Sequence, residues 1–359
     1  MTVTSVPVPD SLEQALSPQW LTAALQERFP GVEICAAVPG PVVDRISTNA
    51  RFVIECADAV PVGLAPALCV KGYFNEIGRA ACYVGAPEAG FYRDLAVATG
   101  VRTLKSVYAD IDPGTRHGVI ITEDVVAQGG TFLDSNSAYT PDQTAQTLAE
   151  FARLHAATWN DPCWATAEWL EPRLGRVLEV WGPSTTIDII SANVDGPNGQ
   201  RVPDEVCDAH RLVDAYRRLM ALTAADTATK PWCVIHGDAH VGNLFVDAAG
   251  AASLVDWQLV QRGMWYLDVG YHIASTLTVE DRRCAEKDLL RHYLDALASR
   301  GVTPPPWDEA WRAITFGMVH GFFLWGITTK MQPAIIATLL HRLGTAAADH
   351  DALSVLERQ

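Results

Sequence analysis

Apolar residues in the last two thirds of the chain recur at helical spacing. In the stretch that Thr140 is suited to cap, Leu148, Phe151 and His155 fall on one face. The segment 180–203 interrupts this pattern because it is rich in Gly, Pro, Ser and Asn, and it predicts a loop or lid. Helices are therefore predicted at 141–159, 203–224, 282–300, 310–329 and 333–350.

The first third of the chain is typical of a small sheet with few helices. Ser17 and Pro18 are typical of a helix start, and this helix is expected to end near Phe29. A second helix is predicted at 87–99. The segment 128–130 (Gln-Gly-Gly) predicts a flexible joint, where we place the boundary between two lobes. Strands are predicted at 42–56, 67–71, 103–109 and 118–122, and residues 1–10 are expected to be loose.

One stretch, 232–256, holds polar side chains between short apolar runs. Its first run suits a buried strand, and its last two, joined by a Gly-containing turn, predict a hairpin. This pattern brings Asp238, Asn243 and Asp256 to the ends of neighbouring elements. Because unpaired charges are costly to bury, two carboxylates and an amide held together indicate a cation, a substrate or a solvent-filled cleft.

The order His236-x-Asp238-x4-Asn243, with Asp256 at the end of the next strand, has the spacing of a kinase catalytic loop and its metal-binding aspartate. The fuller string HGDAHVGNLFV, followed by VDWQ, resembles the aminoglycoside phosphotransferase and choline kinase-like family. The Asp-Trp-Gln ending is similar to the ecdysteroid kinase-like branch of that family. The resemblance implies an ATP-dependent phosphotransferase.

The resemblance also implies an α+β fold of the protein-kinase-like, two-lobed type. A small N-terminal lobe would carry an antiparallel sheet plus a helix, and a larger C-terminal lobe would be mainly helical. The expected divisions are an N-terminal extension and helix at 1–30, a nucleotide-binding lobe at 31–127, and a C-terminal lobe at 128–359. The C-terminal lobe would hold the catalytic loop, the metal site and the acceptor pocket.

Site roles follow from the same resemblance. Asp238 is the implied catalytic residue, which orients the acceptor hydroxyl and takes its proton late in a loose transition state. Asn243 and Asp256 would supply the hard oxygen ligands that Mg²⁺ prefers. His236 and Asp268 are implied to support the catalytic loop.

In the N-terminal lobe, Lys71 ends an apolar strand and resembles the lysine that contacts the nucleotide's phosphates in kinases. Its expected partner is Glu88, which begins an E-x-x-F-Y pattern similar to that of the family. Glu76 lies nearby in the sequence and remains the alternative.

The loop that would cover the phosphates departs from the protein-kinase pattern, because the chain has no G-x-G-x-x-G there. Hydroxyls and backbone amides of Ser47, Thr48 and Asn49 are expected to hold phosphate instead. Glu123 and Val125 match the family's hinge, where backbone groups would meet the nucleotide base. The sequence leaves the choice between ATP and GTP open.

The net charge and the cysteine content of the chain restrict the partners and the cellular compartment that we expect. The formal charge is −15 across 359 residues. A net negative charge disfavours binding to nucleic acids and to anionic membranes, because both attract proteins through Lys and Arg side chains. The eight cysteines form no C-x-x-C pair and no signal pattern opens the chain, so buried free thiols in a reducing cytoplasm are expected. The oligomeric state stays open.

The implied partner is a small-molecule hydroxyl acceptor, either aminoglycoside-like or macrolide- or sterol-like. The acidic charge suits the first, and the eleven tryptophans, most of them late in the chain, suit the other two. A non-catalytic nucleotide-binding module of the same fold is the main alternative. A metallophosphoesterase is the other, suggested by Gly237-Asp238-x-His240. A zinc site at His236 and His240 would need further Cys or His ligands at suitable spacing.

Overall fold

The computed structural model describes residues 6–359. Its N-terminal part is a five-stranded antiparallel sheet with strand order β1-β2-β3-β5-β4. The strands are β1 (Ile34–Asp44), β2 (Thr48–Cys56), β3 (Ala67–Gly72), β4 (Ser106–Ile111) and β5 (Gly118–Glu123). The helices of this part are α1 (Leu12–Ala15), α2 (Pro18–Leu25), α3 (Glu76–Ala80), α4 (Ala86–Gly90) and α5 (Ala96–Thr99).

The two faces of this sheet differ because side chains alternate along each strand. One face carries the apolar side chains of β2, β3 and β5, which pack against Trp20, Leu21 and Leu25 of α2. The opposite face holds Lys71, whose cross-strand partners are Asn49 on β2 and Ile120 on β5. The α4 helix packs against β4 and β5, and a π-helical turn (Phe91–Leu95) joins it to α5.

The remainder of the chain is mostly helical, so the expected α+β fold with an antiparallel N-terminal sheet is confirmed. Its helices are α6 (Pro141–Ala157), α7 (Arg176–Val194), α8 (Ala209–Thr229), α9 (Tyr266–Thr276), α10 (Val279–Ala298), α11 (Trp307–Gly326), α12 (Pro333–Asp349) and α13 (Ala352–Glu357). Its short strands are β6 (Thr131–Phe132), β7 (Cys233–Ile235), β8 (Leu244–Val246), β9 (Ala252–Leu254) and β10 (Gln261–Gly263). The hairpin predicted within 232–256 is the pair β8–β9.

The central helix of this part is α9, in which every residue is buried. It crosses α11 where Gly270 faces Gly317, and a Cβ atom on Gly270 would lie 2.0 Å from the Ile314 carbonyl oxygen. Only glycine permits so close a backbone approach. The crossing brings α9 and α11 together behind the loop that follows β7, and both helices reach that loop with side chains.

Several predicted elements are wrong. Residues 180–203 were expected to form a loop or lid, yet α7 runs to Val194 with a kink at Gly182 (φ 76°) and Pro183. Glycine and proline bend this helix without ending it, because Ile190 and Val194 anchor it in the core. The helix expected to begin at 203 begins only at Ala209, where Asp208 caps it.

Other differences lie at the ends of elements. The first predicted helix ends at Leu25 rather than near Phe29. Of the segment 1–10, residues 1–5 lie outside the described part, and Val8 is buried.

Of the eight free cysteines, only Cys233 is buried, so the expectation of buried thiols is wrong for the other seven. In the described part of the chain, no helix has both the length and the apolarity needed to cross a membrane.

Candidate active site

The loop between β7 and β8 is shaped by one glycine and one short turn. Gly237 has φ 82°, and a Cβ atom there would lie 2.5 Å from the Leu259 carbonyl oxygen. A 3₁₀ turn (Val241–Asn243) follows and leads into β8. The backbone amide of Val255 donates to the Asn243 carbonyl at 2.9 Å, so the residue before Asp256 is tied to the end of this turn.

Asp268 lies beneath the loop, at the start of α9, and is fully buried. Its carboxylate accepts hydrogen bonds from the backbone amides of His236 (2.7 Å) and Gly237 (2.8 Å). His155 Nε2 lies 3.2 Å from the same carboxylate. Burial acts to raise the pKa of Asp268, but hydrogen bonding to His155 and the nearby imidazoles hold the pKa below its usual value. A charged carboxylate therefore fixes the start of the loop.

Three buried histidines bond to carbonyl groups, two in this loop and one at the end of β9. His236 Nε2 donates to the Val255 carbonyl at 2.9 Å, and His320 Nε2 donates to the Gly237 carbonyl at 2.8 Å. His272 Nδ1 donates to the Ala239 carbonyl at 3.0 Å. Burial lowers the pKa of His272 to about 4, so this ring stays neutral.

No pattern in the sequence indicated the contacts of His272 and His320. Both residues lie on long apolar helices, α9 and α11, where a lone histidine is usually a core residue. Only the packing of these helices against the loop reveals their contacts.

Asp238 is held by two donors. Its Oδ2 accepts from the Asn243 amide at 3.0 Å, and its Oδ1 accepts from the Tyr271 hydroxyl at 3.0 Å. Trp325 Nε1 donates to that hydroxyl at 2.7 Å. Burial acts to raise the pKa of Asp238, but His240, His236 and the Tyr271 hydroxyl outweigh it and bring the pKa to about 2. About 29% of the Asp238 side chain remains exposed, so solvent reaches an ionised carboxylate.

Lys71 joins the two parts of the site. Its Nζ lies 2.6 Å from Glu88 Oε2 on α4 and 3.1 Å from Asp256 Oδ1 after β9. Burial acts to lower the pKa of Lys71, but the carboxylates of Asp256 and Glu88 raise it well above its usual value. The ammonium is therefore charged. Glu76 is exposed at the start of α3 and makes no ion pair with Lys71.

Asp256 has a left-handed backbone (φ 64°, ψ 65°), which is uncommon for a residue other than glycine. Such conformations concentrate at functional sites, where the surrounding structure holds them. This conformation points a carboxylate that is 44% exposed toward Lys71. The chain therefore places a strained, partly exposed acid beside Lys71.

The oxygens available for a divalent ion fit magnesium. Within residues 6–359 the Asn243 Oδ1 accepts no hydrogen bond, and the Asp256 carboxylate is partly exposed. These are the hard donors that Mg²⁺ prefers, and Mg²⁺ commonly completes its octahedron with phosphate and water. The same described residues contain no cluster of three or more His, Cys, Asp or Glu side chains suited to a metal ion. The donor set thus fits an ion that arrives with a phosphate ligand.

Of the three residues expected at the phosphate loop, Ser47 lies in the β1–β2 turn, and Thr48 and Asn49 begin β2. Thr48 is buried, and its hydroxyl donates to Asp44 Oδ1 at 2.6 Å. The Asn49 amide donates to the Ser47 hydroxyl at 3.4 Å. Asn49 also lies directly across the sheet from Lys71. These side chains bond locally, and Asn49 is the one that shares the face of Lys71.

At the expected hinge, the Glu123 carboxylate forms an ion pair with Lys105. It also accepts a hydrogen bond from the Gln128 side-chain amide at 2.8 Å. Val125 packs with Phe245 and Val255 in a small apolar cluster. Within the described residues the Val125 backbone amide donates no hydrogen bond. An unpaired donor therefore lies beside an apolar cluster, as a nucleotide base requires.

Five of the eleven tryptophans are buried in the core, and five more are partly buried and pack against it. Trp257 is fully buried and stacks on Phe91 with ring centroids 3.6 Å apart. Trp325 is also buried and reaches Asp238 only through Tyr271. Trp181, beside the kink of α7, is 42% exposed. A wall of tryptophans at an acceptor pocket therefore stays a prediction.

Comparisons with known proteins give one family and several similar folds. The model of a family described as "phosphotransferase enzyme family" (APH) matches residues 128–310. Choline kinase LicA from Streptococcus pneumoniae is 11% identical with a TM-score of 0.47, over 94% of this chain and 98% of that chain. Plasmodium vivax ethanolamine kinase is 11% identical with a TM-score of 0.48, over 91% and 87%. Spectinomycin phosphotransferase, solved with ADP and spectinomycin, is 11% identical with a TM-score of 0.49, over 94% and 99%. No curated protein matches the sequence.

Proposed function

Because the chain belongs to the phosphotransferase enzyme family, we propose that it transfers the γ-phosphoryl group of ATP, with Mg²⁺, to a hydroxyl group of a small molecule. Asp238 is the catalytic residue of this proposal. Asn243 and Asp256 bind the metal, and Lys71, positioned by Glu88, contacts the nucleotide's phosphates.

One observation carries the proposal. The ammonium of Lys71, from the N-terminal sheet, contacts both Glu88 and Asp256, so one cation links the sheet, α4 and the strained acid of the other lobe. Phosphate groups need such a cation beside the metal-binding carboxylate, because charge on the transferred group must be stabilised as it moves. A purely structural ion pair would not require the strained backbone of Asp256.

The residues divide the chemistry among them. The ionised Asp238 carboxylate accepts the hydrogen bond of the acceptor hydroxyl and takes its proton as the new O–P bond forms. Tyr271 and Asn243 hold that carboxylate in place by one hydrogen bond each. When bound, Mg²⁺ would neutralise phosphate charge at Asn243 and Asp256. The Val125 amide and the cluster of Phe245 and Val255 would receive the nucleotide base.

The acceptor is an aminoglycoside-, macrolide- or sterol-like alcohol in this proposal. The negative charge of the chain favours cationic alcohols, whereas the exposed Trp181 favours apolar ones. Both ATP and GTP remain candidates for the donor, because the hinge offers backbone groups that either base can contact.

The proposal is tested by phosphoryl transfer to a panel of alcohols that includes kanamycin, erythromycin, ecdysone and choline, with ATP or GTP and with or without Mg²⁺. We expect Asp238→Asn to lower kcat by roughly 10²–10⁴-fold, the usual contribution of a positioned proton acceptor. The matched control is Asp295→Asn, an exposed aspartate on α10, which should retain wild-type activity. Full activity of Asp238→Asn would remove Asp238 from its role.

Two other functions give different results in the same assay. Nucleotide binding without transfer to any alcohol would favour the non-catalytic module. Release of phosphate from p-nitrophenyl phosphate without nucleotide would favour the metallophosphoesterase. Family membership favours phosphoryl transfer over both.

A further inference from the structure

His240 lies beside Asp238, and the nucleotide and metal assignments leave it without a role. Its ring is held on three sides. The Gly242 backbone amide donates to Nδ1 at 3.0 Å, Trp325 packs edge-on at 5.1 Å between ring centroids, and Tyr271 lies at 6.2 Å. A Cβ atom on Gly242 would lie 2.7 Å from the ring, so only glycine leaves room for it. The imidazole therefore has one fixed orientation.

That orientation determines which nitrogen carries the proton. Nδ1 accepts the Gly242 amide hydrogen, so the neutral ring of His240 must carry its proton on Nε2. Nε2 makes no hydrogen bond within the described residues, and its neighbour is Asp238 Oδ2 at 3.6 Å. The His240 side chain is 11% exposed. Among the described residues, a donor without a partner therefore lies beside the partly exposed Asp238 carboxylate.

The separation of these two atoms suits one shared oxygen. At 3.6 Å, Nε2 and Oδ2 are too far apart for a good hydrogen bond with each other. An oxygen atom at the usual distance of roughly 2.8 Å fits against both, because 3.6 Å is less than twice that length. Such an oxygen would accept from Nε2–H and donate to Oδ2. A hydroxyl group can do both at once, whereas a carbonyl or a phosphate oxygen without a proton cannot.

We propose that His240 binds the acceptor hydroxyl directly, so that the incoming oxygen is held between His240 Nε2–H and Asp238 Oδ2. This inference rests on the function proposed above and adds a substrate-contacting residue to it. One lone pair of the oxygen accepts from His240, and its proton points to Asp238. The second lone pair is left to form the bond to phosphorus.

With these groups, every bond formed, bond broken and proton moved in the transfer is accounted for. The acceptor oxygen forms its bond to the γ-phosphorus, and the bond between that phosphorus and the β,γ-bridging oxygen breaks. The bridging oxygen leaves with the electron pair as part of ADP. The hydroxyl proton passes to the Asp238 carboxylate and then to solvent. His240 keeps its own proton throughout, because its task is to orient the oxygen.

Two variants separate this task from the structural role of the ring. In His240→Asn, the amide oxygen stands where Nδ1 stood and can still accept from the Gly242 amide, but nothing replaces Nε2–H. In His240→Gln, the amide nitrogen reaches the position of Nε2, but the acceptor for Gly242 is lost. A structural role therefore predicts that Asn is tolerated and Gln is harmful, and the proposed role predicts the opposite order.

The test uses a complex that needs no known acceptor. ADP, Mg²⁺ and aluminium fluoride mimic the transferred phosphoryl group, with a water in the place of the incoming hydroxyl. Isothermal titration should give equal Kd values for ADP and Mg²⁺ alone in the wild type and both variants. With aluminium fluoride we expect His240→Asn to bind roughly tenfold more weakly, the effect of one lost hydrogen bond, and His240→Gln to stay within a few-fold of the wild type.

The outcomes are distinct. Wild-type affinity of His240→Asn with aluminium fluoride, together with weakened binding by His240→Gln, would reduce His240 to a cap of the turn and overturn the inference. A wild-type chain that binds no ADP would overturn the proposed function itself. If either variant fails to fold, two-bond ¹⁵N–¹H spectra of the wild type decide. They should show His240 with its proton on Nε2, and a proton on Nδ1 would overturn the inference.

Discussion

Lys71 and Asp256 lie 3.1 Å apart although 185 positions separate them in the chain. One is on a central strand of the N-terminal sheet, and the other follows the last strand of the β8–β9 hairpin. Their contact joins the N-terminal sheet to the residue that follows the hairpin. Glu88 completes the group by contacting the same ammonium at 2.6 Å.

The contact between Lys71 and Glu88 distinguishes between the two glutamates, Glu88 and Glu76, that the sequence left as possible partners of Lys71. We expect Glu88→Gln to lower kcat/KM for ATP by roughly a hundredfold, because an ammonium displaced by about 1 Å no longer meets the phosphates correctly. The matched control is Glu76→Gln, which removes an exposed carboxylate from the start of α3. Steady-state kinetics with varied ATP are the measurement. Equal losses in both variants would argue against the pairing of Lys71 with Glu88.

The turn at Gly237 is expected to tolerate no side chain. Gly237→Ala combines a positive φ with a Cβ atom 2.5 Å from the Leu259 carbonyl oxygen. Gly250→Ala is the matched control, because Gly250 has φ 86° but no atom within 4 Å of its Cβ position. We expect Gly250→Ala to cost about 1–2 kcal/mol of unfolding free energy. Gly237→Ala should cost roughly 2 kcal/mol more, because the Leu259 backbone must move.

Urea denaturation of the two variants measures these free energies. Loss of activity should follow for Gly237→Ala alone, since Gly237 lies next to Asp238. Equal destabilisation of both variants would mean that the loop accommodates the methyl group and that the close contact with Leu259 has no energetic weight.

The neutral, buried His272 predicts a pH dependence of stability. Its pKa in the fold is lowered to about 4 by burial, whereas an unfolded histidine titrates near 6.5. Between these values the unfolded chain binds more protons than the folded one, so the stability rises with pH. The contribution of the neutral His272 ring to the unfolding free energy is complete above about pH 6.5. It falls by up to about 3 kcal/mol as the pH drops to 4.

His272→Asn keeps a donor for the Ala239 carbonyl but removes the titrating ring. Its unfolding free energy should therefore change less steeply between pH 6.5 and 4 than that of the wild type, whatever its absolute stability. The exposed His292→Asn serves as the control and should retain the wild-type slope, because solvent reaches that ring in both states. Identical slopes for all three proteins would contradict the prediction.

Local patterns predicted the elements around the site well. Alternating apolar runs placed β3, β5 and the β8–β9 hairpin, and helical spacing placed α6, α11 and α12. These elements are long or strongly patterned, so their local preferences agree with the final fold. The kinked helix α7 was missed because Gly182 and Pro183 outweighed the core positions beyond them. The ecdysteroid kinase-like branch and the lobe boundary at 127/128 stay predictions.

The sequence by itself determined the family and the kind of fold, because a short motif of fixed spacing carries both. Asp238, Asn243 and Asp256 could be named from spacing since they lie within one local stretch. Tertiary structure alone decided which glutamate meets Lys71 and which helices hold the loop. It also decided that His240 Nε2 lies 3.6 Å from Asp238 Oδ2. These depend on contacts between distant segments, such as Gly270 against Gly317, and on which polar atoms burial leaves without partners.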